Sequence, residues 1–140
     1  MSTETLSIEA LCADLDIPER VRNFEDIPGG KVVFGPGTLA SIGTEAAALK
    51  AQRVLIVTDP GLAKTSAVDR TEVSLREAGL EVAIFDQVRE NPTTTDVARC
   101  VAAARESEVD LIVGLGGGSS MDTAKGANFI LTNGGEMKDY

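Results

Sequence analysis

Three consecutive glycines, Gly116-Gly117-Gly118, followed by Ser119, Ser120 and then Asp122, are the residues of this chain best suited to chemistry. The apolar run Leu111–Leu115 leads into them, and a helical pattern follows. That order places unobstructed backbone N–H groups at a helix N-terminus, which favours a phosphate or pyrophosphate. The run is not a Walker-type loop, because Lys125 precedes Gly126 with no hydroxyl after it. Nor is it a dinucleotide fingerprint, since Gly114, Gly116 and Gly118 miss the Gly-x-Gly-x-x-Gly spacing. A tight strand-to-helix turn is the alternative, although one glycine would suffice for that.

Three polar positions accompany the run. Asp122 lies three residues after Ser119. It either completes a helix cap with that serine or faces the reactive end of a cofactor one turn beyond the phosphate. Lys125 lies three residues further on, close enough to pair with it. Asp59 ends the apolar run Val54–Thr58. It either starts a turn with Pro60 and Gly61 or accepts hydrogen bonds from an adenosine ribose, as strand-end acidic residues do for NAD. In the second role it would repel a 2′-phosphate. Asn91, ahead of Pro92, is a loop starter in the same kind of position. The chain has no histidine, so an imidazole base or metal ligand must come from elsewhere.

The elements that would position these residues alternate regularly. Val54–Thr58, Glu81–Phe85 and Leu111–Leu115 read as buried strands. Helices are expected from Thr38 to about Leu49, from a Ser66/Asp69 capping box to Gly79, after a threonine cap following Asn91-Pro92-Thr93, and from about Ser120 to Leu131. Lys31–Phe34 and Asn23–Ile27 read as short extended pieces about Pro28-Gly29-Gly30, and Leu6–Asp14 as a short amphipathic helix. Strands alternating with helices imply an α/β fold with a doubly wound, mostly parallel, Rossmann-like sheet. If the strands are parallel, Asp59, Asn91 and the glycine run gather at its carboxyl edge, where such sheets bind ligands. The expected division is an extension over residues 1–22 and a nucleotide-binding domain over 23–140.

Composition narrows the class. The 140 residues are 43% hydrophobic and only 4% aromatic, as an aliphatic core requires. The net charge of −9 and the lack of clustered Lys and Arg argue against nucleic acid and anionic membranes as partners. No stretch reaches the ~20 apolar residues of a membrane span, and Met1–Arg22 is too acidic for a signal peptide. Cys12 and Cys100 are far apart and suit structural thiols in a reducing cytoplasm.

With these residues in view, the chain resembles the iron-containing (group III) alcohol dehydrogenases. Gly116 to Lys125 match that family's Gly-Gly-Gly-Ser-x-x-Asp-x-Ala-Lys loop position by position. Phe34-Gly35-Pro36-Gly37-Thr38-Leu39, Val57-Thr58-Asp59 and Asn91-Pro92-Thr93 are similar to its flanking motifs in order and distance. The resemblance covers roughly Val33–Tyr140. It implies an NAD(P)-binding α/β domain, of the kind shared with dehydroquinate synthases, with NADP the less favoured cofactor. It further implies that Asp59 would hold the adenosine ribose, that Gly117, Gly118, Ser119 and Ser120 would bind the pyrophosphate, that Asp122 would face the nicotinamide, and that Asn91 would line the cleft. The family's metal, iron or sometimes zinc, is held by an aspartate and histidines of a following helical domain, which is expected to be absent here. The substrate class implied is a small alcohol or aldehyde, and a homo-oligomer is a possible assembly. The 140 residues alone are expected to be inactive. Two rival readings stay open: a sugar-phosphate isomerase or synthase using the loop for a monophosphate, and a non-catalytic nucleotide-binding or assembly module.

Overall fold

The computed structural model describes residues 30–140. Residues 39–140 form one compact unit, and the described residues 30–38 belong to another. The helix expected at Leu6–Asp14, the extended piece Asn23–Ile27, Pro28, Gly29 and Cys12 lie outside the described residues. Lys31–Phe34 carries no strand ladder. Within the following turn, Gly35 and Gly37 take positive φ angles of 140° and 78°. Thr38 donates from Oγ1 to the Gly35 carbonyl at 2.9 Å and so closes that turn, where the sequence pattern placed the start of a helix. A 3-10 turn, Thr38–Ser41, then leads into α1, Ile42–Ala48.

The order that follows is β1 (Arg53–Val57), α2 (Ser66–Glu77), β2 (Glu81–Phe85), α3 (Thr94–Glu106), β3 (Leu111–Gly114) and α4 (Gly118–Asn133). All three strands are parallel, in the order β2-β1-β3. This is the expected α/β architecture, with β1 at the centre because its Val54–Val57 are almost wholly buried on both faces. Leu55 and Val57 pack with Val97, Cys100, Val101 and Ala104 of α3 and Ala124, Ala127 and Ile130 of α4. Val54 and Ile56 pack on the opposite face with Ala46 of α1, Leu75 of α2 and Leu80. Alternation along one strand therefore feeds two helical layers. Burial inside the first layer pushes the Cys100 thiol up to about 11, well away from its reactive form.

Two helix starts differ from expectation. Thr65, not Ser66, caps α2, its Oγ1 accepting from Ala67 N at 3.3 Å. α4 begins at Gly118, two residues earlier than Ser120, with Gly117 as its N-cap. The threonine expected to cap α3 is Thr93, in a reciprocal pair with Asp96. Among the described residues no helix is long and apolar enough to cross a membrane.

Candidate functional site

β1 and β3 are neighbours, yet α2 leaves β1 toward one layer and α4 leaves β3 toward the other. The loops after them diverge and open a crevice at the carboxyl edge of the sheet, the usual ligand position in such folds. A cavity of about 360 Å³ lies there, lined by Asp59 and Pro60 after β1, Val88, Arg89 and Glu90 after β2, and Gly117, Gly118, Ser119 and Ser120 after β3.

The three glycines divide the work. Gly116 has φ +138°, and a Cβ there would stand 2.8 Å from Ser120 Oγ. Only glycine fits a position of that conformation, so Gly116 makes the turn. Gly117 and Gly118 are different, because a Cβ on either would meet nothing within 4 Å. Their missing side chains leave space over the start of α4, and nothing among the described residues fills it. Gly117 is the N-cap and makes no side-chain cap, so the first N–H groups of α4 have no side-chain acceptor among the described residues. The Ser119–Asp122 capping arrangement is therefore not formed: Ser119 is already inside the helix, and its carbonyl accepts from Thr123 Oγ1 at 2.8 Å.

Asp59 turns out to have both of its readings available. Its Oδ1 accepts from Gly61 N and Leu62 N, each at 2.9 Å, which fixes the turn after β1. Its Oδ2 takes no part in those bonds and lies 3.5 Å from where a Cβ on Gly116 would sit. One oxygen orients the carboxylate and the other faces the glycine loop. Thr58, just before it, is wholly buried with an Oγ1 that has no hydrogen-bond partner.

Not every expected residue joins this group. Asp122 is exposed on α4, one turn beyond the loop and outside the cavity lining. No ion pair joins it to Lys125 among the described residues. Asn91 follows the lining residue Glu90 in sequence but is not itself in the lining, and it takes a left-handed conformation with φ 51°. Arg89 and Glu90, which sequence reasoning did not single out, do line the cavity. Thr58 brings them there, because its N–H donates to the Phe85 carbonyl at 2.9 Å and its own carbonyl accepts from Val88 N at 3.2 Å. Pairing thus continues past the end of β1 and carries the segment after β2 up to the crevice. No sequence pattern announces that extension.

Among the described residues there is no group of three or more His, Cys, Asp or Glu that could hold a metal ion. Together with the lack of any histidine in the sequence, this means that the residues present do not fit an iron centre.

Comparison with known proteins places this geometry among relatives. Residues 29–140 match the family model described as iron-containing alcohol dehydrogenase. The 1,3-propanediol dehydrogenase of Klebsiella pneumoniae is 43% identical over 109 residues, covering 76% of this chain and 28% of that protein. The NAD-dependent methanol dehydrogenase of Bacillus methanolicus is 39% identical over 108 residues, covering 77% and 28%. A crystal structure of 1,3-propanediol oxidoreductase superposes with a TM-score of 0.74 at 44% identity, covering 76% of this chain and 28% of that one. The chain thus spans little more than a quarter of the length of these relatives.

Proposed function

Because the chain belongs to the iron-containing alcohol dehydrogenase family, we propose that its α/β unit binds a nicotinamide dinucleotide, NAD in preference to NADP, in the crevice between Asp59 and Gly117–Ser120. The observation that carries this is the open space over Gly117 and Gly118 at the uncapped start of α4. A diphosphate there would accept from the N–H groups of Gly118, Ser119 and Ser120 and meet the positive end of the helix dipole. Asp59, oriented through Oδ1, would offer Oδ2 to the hydroxyls of the adenosine ribose. A 2′-phosphate at that position would face a carboxylate, which is the reason for the preference. Asp122 would lie toward the nicotinamide and Asn91 at the rim.

When bound, the nicotinamide would supply reversible hydride transfer to and from the carbon of a small alcohol or aldehyde. These residues bind and orient the cofactor. They do not fit iron or zinc. A reducing cytoplasm, in keeping with the free buried Cys100, and self-association of copies are part of the same proposal.

Calorimetric titration of the chain with NAD and with NADP tests it. The chain is expected to bind NAD more tightly than NADP. Gly118→Val should abolish both by filling the open space. Asp59→Gly should narrow the gap between them. Equal binding of the two by the unaltered chain, or a phosphosugar bound in place of either, would overturn the reading.

A further inference from the structure

Arg89 is the cation among the residues lining the crevice, where Asp59 and Glu90 are acidic. Its side chain is 62% exposed, yet its guanidinium is fixed from behind. Nε donates to Asp96 Oδ1 at 2.8 Å and Nη2 to Asp96 Oδ2 at 3.1 Å, a two-pronged pair. Asp96 is 1% exposed and is itself fixed by Thr93, whose N–H and Oγ1 donate to Oδ2 at 2.8 and 2.9 Å. The pair uses Nε and one N–H of Nη2, and among the described residues leaves the Nη1 end of the fork free to donate.

We propose that Arg89 is a second diphosphate-binding element of the crevice, presented by buried Asp96 so that the free edge of its guanidinium meets the cofactor phosphates opposite Gly117–Ser120. This rests on the dinucleotide reading above and adds a binding residue to it. The interactions that hold the Asp96 carboxylate leave it charged and fixed in place. A carboxylate so held fixes the plane and direction of the Arg89 guanidinium, which is what recognition of a phosphate oxygen needs. Arg89 is then a binding residue and Asp96 a positioning residue acting through it.

Removing Arg89 alone would also expose a bare carboxylate to the ligand, so the decisive variant is the charge-balanced pair Arg89→Gln with Asp96→Asn. Calorimetry on the full chain with NAD, NADP and ADP-ribose, which share the diphosphate, is expected to show about tenfold weaker binding of all three. Asp96→Asn alone should weaken binding while Arg89 is present and add nothing once Arg89 is glutamine, a coupling that a merely structural cap would not produce. Unchanged affinities in the double variant would overturn the inference, as would a loss confined to NADP, which would move Arg89 to the 2′-phosphate. Thermal melts check folding. Should the double variant be unfolded, Arg89→Lys, which keeps the charge but loses the paired donors, decides by the same criterion. If the unaltered chain binds NAD and loses it in Gly118→Val but not in the Arg89 variants, only this inference falls. If the unaltered chain binds no dinucleotide, the underlying reading falls and takes this inference with it.

Discussion

Asp96 shows how one side chain can serve a helix and a cleft together. The guanidinium of Arg89 first, and then the N–H and hydroxyl of Thr93, hold its carboxyl well below the usual carboxylate range. A carboxyl whose pKa is lower in the folded than in the unfolded chain stabilises the fold at pH values above its unfolded pKa, about 3.9. That contribution fades as the pH falls from there toward the folded value. Asp96→Asn should accordingly melt below the unaltered chain at pH 7, and the difference should shrink at pH 3. An equal difference at both pH values would mean that the charge of Asp96 contributes nothing. The glycine run and Asp59 were legible in the sequence because glycine and a strand-end aspartate are informative by type. Arg89 was not, since its role depends on a partner seven residues away and on pairing that continues beyond the strands. Of the two alternatives left open for Ser119 and Asp122, the cap does not form, because the helix begins one residue before Ser119, at Gly118.

At the scale of elements, strands and helices could be read because β1 and β2 are bounded apolar runs and α3 carries its own Thr93–Asp96 start signal. Boundaries were less legible where a 3-10 turn replaces the first helical turn, as at Thr38–Ser41. The contact of α1 with α2 could not be read at all. Gly43 lies against the backbone of α2, where a Cβ would come 2.0 Å from the Ser74 carbonyl oxygen. Its N–H donates to Ser74 Oγ at 3.1 Å, and that hydroxyl donates onward to the Ala40 carbonyl at 2.8 Å. A methyl group at Gly43 therefore forces two helices apart. Gly43→Ala should cost about 1–3 kcal/mol by overpacking, and in a unit of this size about 1 kcal/mol lowers Tm by several degrees. Gly118→Ala, in open space, should leave Tm nearly unchanged. Similar melting points for the two variants would show that α1 yields easily.

At the scale of the molecule, three loops of the described residues meet in a crevice on one sheet edge, and the alternation of strands and helices was enough to foresee that convergence. The chain does not assemble a metal centre among its described residues. The 140-residue chain is therefore expected to bind NAD yet leave it unreduced when given 1,3-propanediol or methanol and ferrous iron. The check is absorbance of the reduced nicotinamide over hours. Steady formation of NADH would mean that catalytic residues exist where none has been assigned.

Cys100 has one more use. It is fully buried in the α3/α4 layer, in the same unit as the crevice. A disulfide reagent can reach it only when that layer opens, so its labelling rate is a clock for opening. Any ligand that prefers the closed form slows this clock in proportion to its occupancy. With Cys12 replaced by serine, the chain carries its own occupancy gauge, readable without turnover or an added dye.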